Sequence, residues 1–307
     1  MVMKKIAVLL LVLNTLFIRG QFSLGSYHPF FYSELPGWHN PALSTMKGVP
    51  ELFAFTGTSV LGFPGRPVFY GLQGSGYIDY GVGFSAKFLQ QKAGLSKNAG
   101  AELSFLYHLL LTEKIKLVFA LSGMAEEYYF HYQDAINDNM QDPILTQQLQ
   151  EIPSFNASFG LGLVAQDAFY LGIRTFRLIA TKNDYLNNQI VHPVSLLASI
   201  QGGYQFNLTE KNILGVNALF EKEFAMDHYI YEGNIFYNWN GSLGFSVGYQ
   251  SFKALKASIN LSMFGLGAGY QITFSPWNDM AKNHSVYNIF SQGVYVKKLF
   301  NEQKPVR

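Results

Sequence analysis

NAGAELSFLYHLLLTEKIKLVFALSGMAE, residues 98–126, decides the fold. In its first limb the odd positions Ala99, Ala101, Leu103, Phe105, Tyr107 and Leu109 are apolar or aromatic, while Gly100, Glu102, Ser104 and His108 take even ones. A period of two marks a β-strand with one greasy face and one wetter face. In the second limb Ile115, Leu117, Phe119, Leu121 and Ala125 continue the greasy set, against Lys116, Ala120, Ser122 and Glu126. The limbs reverse at Leu111-Thr112-Glu113-Lys114. Each is about a dozen residues, longer than the ~5–6 of an ordinary strand and sufficient for the ~9–11 that cross a bilayer at a tilt. The stretch therefore predicts a transmembrane β-hairpin. Leu106, Leu110 and Val118 break the pattern by falling on the inner face, which favours a filled interior over a watery pore.

Export is expected from the amino terminus. Lys4 and Lys5 precede an apolar run over residues 6–18, closed by Arg19-Gly20-Gln21. This reads as a secretory signal peptide (residues 1–20) cleaved after Gly20, since so short a run cannot span as a helix. No later run reaches the ~20 apolar residues of a membrane helix. The absence of cysteine excludes disulfides, thiolate metal sites and a lipidated cysteine anchor. Charged residues are 14% and aromatics 16%, against about 25% charge in a soluble domain, which suits strands facing lipid between aromatic girdles. A net charge of +2 points to no nucleic acid.

Residues 21–49 carry Pro29, Pro36, Gly37, Pro41 and Gly48 among aromatics and cannot form regular structure. Strands are expected near 51–60, 68–75, 79–89, 98–110, 115–126, 155–163, 169–173, 194–206, 214–224, 229–237, 242–252, 256–263, 265–274 and 286–300. Fourteen is an even number, as a single-chain bacterial barrel requires. With both termini periplasmic, the even-numbered connections are short, among them Leu111-Thr112-Glu113-Lys114 and its second copy Leu208-Thr209-Glu210-Lys211. The polar interruptions at 128–153, with a short helix expected around 143–150, and at 180–193 then fall outside. The predicted fold is an all-β, transmembrane antiparallel barrel over residues 50–300, with a tail at 301–307.

Asn40-Pro41-Ala42 before the first strand, then Gly62-Phe63-Pro64-Gly65 and Pro67 opening the second, resemble the PorP/SprF family of outer-membrane proteins associated with the type IX secretion system. The similarity covers most of the mature chain and extends to the Gly-Tyr-rich segment 265–273. It implies an outer-membrane location and a non-catalytic anchoring role in type IX secretion or gliding, with secretion components or secreted surface proteins as partners beside the membrane lipid. On that reading the periplasmic turns and the Pro-rich N-terminal segment engage the machinery. A small porin or hydrophobic-solute transporter is the alternative.

No residues suggest catalysis or a cofactor. The seven His are scattered, no serine stands at a strand-to-helix nucleophile elbow (Gly244-Phe245-Ser246-Val247-Gly248 falls inside the strand expected near 242–252), and the glycines of 81–83 and 265–269 lie within strands, where they give bends or leave room for a plug. Inward positions place Lys87, Glu102, Lys116, Glu126, Arg174 and Glu221 in the lumen. With both signs present and Lys87 near Glu102 across a hairpin, a salt-bridged, plugged interior is favoured over a solute path. Tyr128, Tyr129, Phe130 and Tyr132 form either an outer partner-binding loop or an aromatic girdle.

Overall fold

The computed structural model describes residues 34–59, 65–78, 81–94, 96–130, 152–165, 168–179, 182–185, 190–193, 196–224, 228–251, 254–275 and 289–300. Its barrel begins with β1 (Glu51–Thr58), β2 (Val68–Ile78), β3 (Val82–Ala93), β4 (Ser96–Thr112), β5 (Ile115–Phe130), β6 (Ile152–Ala165) and β7 (Phe169–Phe176). A hairpin of β8 (Lys182–Tyr185) and β9 (Ile190–Pro193) pairs only with itself. The barrel resumes with β10 (Leu197–Asn207), β11 (Ile213–Glu223), β12 (His228–Trp239), β13 (Leu243–Gln250), β14 (Ala254–Met263), β15 (Leu266–Ser275) and β16 (Ile289–Leu299). These fourteen strands are antiparallel, and β16 closes on β1 with Leu299 opposite Glu51. Closure leaves no unpaired edge, which is what allows a sheet to sit in hydrocarbon.

The sheet is turned inside out relative to a soluble protein. On β4, Leu103 is 68% exposed while Glu102 beside it is 3% exposed. Phe84, Phe105, Leu121, Phe155 and Val247 repeat the outward pattern, and Ser85, Ser104, Ser122, Asn156 and Gln201 the inward one. Apolar side chains outside and polar ones inside suit a lipid surround. No helix among the described residues is long and apolar enough to cross a membrane.

The short connections between β2 and β3, β4 and β5, β6 and β7, β10 and β11, β12 and β13, and β14 and β15 fall on the rim that carries the start of β1 and the end of β16. The long ones lie on the opposite rim. There the structure adds a feature that the sequence reading took for a plain polar interruption, the β8–β9 hairpin. The helix expected around 143–150 lies outside the described residues.

Two expectations are corrected locally. Leu110 is not part of the filled interior: it keeps the register of β4, opposite Lys116, but stands at the turn end of the strand, where it is 65% exposed. The two Leu-Thr-Glu-Lys copies also close differently. In the first, Thr112 pairs with Ile115 across a two-residue turn. In the second, the carbonyl of Asn212 accepts from the amides of Leu208 (2.9 Å) and Thr209 (3.3 Å), so the loop widens before β11. Both keep one device, a Thr hydroxyl accepting the backbone N–H of the Lys two residues on (3.2 Å at Thr112, 3.3 Å at Thr209).

Candidate functional site: a segment seated in the lumen

A barrel of about eight strands is filled by its own side chains, whereas 16–18 strands leave a channel. Fourteen strands thus enclose more space than inward side chains occupy, and here residues 34–48 enter it. Two prolines shape the segment. Pro36 opens a one-turn helix, α1 (Pro36–His39), and Pro41 opens a 3-10 turn (Pro41–Leu43). Both sit at first helical positions, where a missing N–H costs nothing. Between them Asn40 caps the second turn, its Oδ1 accepting the amide of Ala42 at 3.0 Å.

The other end of the same side chain reaches the wall. Asn40 Nδ2 donates to the carbonyls of Leu161 (3.0 Å) on β6 and Ile173 (3.1 Å) on β7, residues directly opposite in the sheet. This approach requires bare backbone. A Cβ on Gly160 would lie 2.4 Å from Asn40 Oδ1, and one on Gly172 would lie 2.7 Å from Asn40 Nδ2 and 2.8 Å from a Leu43 methyl. A Cβ on Gly162 would meet Leu43 at 2.9 Å. Replacing Asn40 by alanine should therefore destabilise the seated segment by about 1–3 kcal/mol, leaving two strand carbonyls and one amide short of a partner. Limited proteolysis of residues 34–48 in the folded barrel reads this as faster cleavage.

Irregular backbone at membrane depth must find hydrogen-bond partners in protein. Five carbonyls of the segment are met by side chains from four strands. Gln201 Nε2 donates to Pro36 O (2.9 Å), Lys87 Nζ to Trp38 O (2.7 Å), Arg174 Nη1 to His39 O (2.7 Å), Ser75 Oγ to Ser44 O (2.9 Å) and Tyr77 OH to Thr45 O (2.5 Å). On the far wall Asn260 Nδ2 donates to Glu34 Oε1 at 3.0 Å, and Lys297 lies 3.7 Å from Glu34. Apolar contacts complete the seat. Ala42 packs on Leu106, Val118 and Ala120, which gives a reason for the apolar residues on the inner face of β4 and β5. Leu35 and Trp38 pack with Phe53, Phe55, Phe69, Leu89 and Tyr295.

Three of the six charged residues assigned to the lumen meet in one cluster. Glu102 accepts from Lys87 Nζ (3.2 Å) and from Arg174 Nη2 (2.5 Å), all three buried. Arg174 also donates to Ser158 Oγ at 2.9 Å and lies 3.4 Å over the Phe176 ring. Glu221 is buried two strands away in the same register row, through Ser199. Glu126 pairs with Arg177 (3.3 Å), which sequence reasoning missed, as it missed the Lys256–Glu232 pair. Lys116 is not brought to these groups; it is half-buried near the short-turn rim, opposite Leu110 and Val164.

Other motif residues fall in different places. Pro67 accepts at its carbonyl from Ser59 N (3.0 Å) and Thr58 Oγ1 (3.0 Å), and Gly65 accepts from Gly94 N (2.7 Å), so this end of the motif ties the β1–β2 loop to the β3–β4 loop. Gly62, Phe63 and Pro64 lie outside the described residues, as does Tyr132. Tyr128, Tyr129 and Phe130 supply the last backbone positions of β5, paired with β4. The glycines of 81–83 and 265–269 leave no room for the segment: Gly81 and Gly265 turn the chain, and the space before Gly269 holds the Tyr295 ring. Residues 35–45 are buried against the wall, whereas Lys47 at the short-turn rim is exposed.

The Asn-Pro pair of the sequence motif is thus the grip itself. The family description "type IX secretion system membrane protein PorP/SprF" matches residues 25–291. The chain belongs to the PorP/SprF family. No curated protein matches the sequence. Among solved structures this PorP/SprF barrel is similar to a Pseudomonas aeruginosa FadL homologue (11% identity, 90% of this chain and 96% of that one, TM-score 0.53). It is also similar to the Ralstonia pickettii toluene transporter TbuX (10%, 85% and 92%, 0.52) and to the CymD monoaromatic hydrocarbon channel (11%, 86% and 92%, 0.52). At such identity the likeness is one of fold, that of an outer-membrane barrel.

One further pattern in this PorP/SprF barrel emerges only from register. Ser75, Ser85, Ser104, Ser122 and Ser158 stand opposite one another across β2 to β6. This row of small hydroxyls faces the segment, Ser75 bonding Ser44 and Ser104 bonding Ser122 (2.8 Å).

Proposed function

We propose that this protein is a plugged outer-membrane barrel that serves type IX secretion by docking, anchoring parts of the machinery or secreted surface proteins, and that its lumen is not their conduit. Family membership supports the association with secretion. The observation that carries docking over conduction is the seating of residues 34–48, bonded to β2, β3, β6, β7, β10 and β14 and packed on the inner wall of β4 and β5. The surfaces left for partners are the periplasmic turns and the long outer loops.

Affinity purification of the intact protein from native membranes tests this reading. Secretion components or secreted surface proteins are expected to co-purify; their absence, with the barrel recovered folded, would overturn it. A second reading, a hydrophobic-solute transporter, is favoured by the fold shared with the hydrocarbon channel and toluene transporter. It predicts solute uptake into liposomes by the unaltered chain, and a silent barrel would sink it.

A further inference from the structure

The β14–β15 turn, Met263-Phe264-Gly265-Leu266, reverses the chain in two residues, with Phe264 at φ 53° and Gly265 at φ 72°. Two successive left-handed residues are the pattern of a type I′ hairpin turn, whose first position favours Asn. The neighbouring β12–β13 turn has that preferred residue, Asn240 at φ 53° before Gly241 at φ 66°. Phe264 thus occupies a conformation in which a bulky side chain is disfavoured. Its ring gains nothing from the chain in return, being 91% exposed.

What surrounds the ring says what covers it. Leu261, Met263 and Leu266 are exposed beside it and extend the apolar face that β14 and β15 turn to the membrane. Trp239 and Phe300 are exposed on the same rim. The ammonium of Lys298 donates to the Phe264 carbonyl at 3.4 Å, which places a cation with spare donors at the same turn. An aromatic ring continuous with an apolar belt, with a cation alongside, matches the boundary where acyl chains give way to phosphate headgroups.

We infer that Phe264 is a lipid anchor: its ring inserts at the headgroup–acyl boundary of the leaflet on the short-turn rim, with Lys298 at the lipid phosphates. This contact fixes the depth of the β14–β15 corner and is independent of the secretion reading. The chain lacks cysteine, so Phe264→Cys and, as a polar-turn control, Glu113→Cys each accept a single fluorophore. In vesicles of phosphatidylethanolamine and phosphatidylglycerol, lipids brominated near the headgroup end of the acyl chain should quench the label at 264 several-fold more than the label at 113. Aqueous acrylamide should show the reverse order. Equal acrylamide quenching at both sites without bromine quenching would overturn the proposal and leave the ring for a soluble-phase protein. Should the cysteine variant not fold, hydroxyl-radical footprinting of the unaltered chain in the same vesicles decides: a protected Phe264 supports the anchor, an oxidised one refutes it.

Discussion

Replacing Glu102 by alanine is expected to lower the unfolding free energy of the barrel by about 3–5 kcal/mol, the cost of leaving buried charge without its partner. Two cations pair with this one carboxylate, Lys87 and Arg174, with side chains 6% and 1% exposed, and the buried Glu221 acts on Arg174 at longer range. Their other acceptors are Trp38 O, His39 O and Ser158 Oγ, none of which carries charge. A urea midpoint in detergent micelles, or the temperature at which the gel mobility of the folded barrel is lost, measures the change. Glu102→Gln should lose less, since its amide oxygen can still accept from one cation. Substituting Lys87, Glu102 and Arg174 together by apolar residues of similar size should recover much of the loss, because a buried network replaced whole need not destabilise. An alanine variant within 0.5 kcal/mol of the parent would mean that water reaches the cluster. The same substitution bears on function, since Lys87 and Arg174 also hold two carbonyls of the seated segment.

Why the strands could be read from the sequence while the seat could not follows from where each signal resides. An outward residue must be apolar whatever its neighbours, so the membrane face of β3, β4 and β5 is written locally at period two. Lys87 and Glu102 were also within reach, because they oppose each other across one hairpin. Arg174 joins the same carboxylate from 72 residues away, and only closure of the sheet brings it there. The serine row likewise needs the register of five strands before it exists. A local clue to the seat was nevertheless present on β6, where the inward positions Asn156, Ser158, Gly160 and Gly162 are all small. Small residues facing a wide lumen imply that something else fills it, as do the apolar Leu106 and Val118 on the inner face of β4 and β5. The expectation for Leu110 failed for a different reason: alternation assigns a face but not a height, and Leu110 stands at the rim end of its strand.

Filling the glycine cradle separates the wall from its occupant. In a Gly160→Val, Gly172→Val variant the new side chains suit strand geometry, so the barrel itself should still close. The place of Asn40 disappears, however, since Cβ atoms would stand 2.4 Å from its Oδ1 and 2.7 Å from its Nδ2. Overpacking of this kind costs about 1–3 kcal/mol where side chains can yield, and here the yielding part is the segment. Residues 40–43 should leave the wall, loosening the backbone at the already exposed Lys47 so that trypsin cuts there faster, and the barrel should pass from silent to conducting in a planar bilayer. A barrel of this width is too large for its own side chains to close. Removal of residues 34–48 should give the same conductance, and the two changes combined should add nothing further. If trypsin cuts the variant readily while the bilayer stays silent, the lumen is sealed by parts of the chain other than this segment. If the parent already conducts steadily, the seated segment lines a path instead of blocking one, and the solute-transporter reading gains over docking. The outcome therefore turns on whether the bonds from Gln201, Lys87, Arg174, Ser75 and Tyr77 hold a stopper or shape a channel.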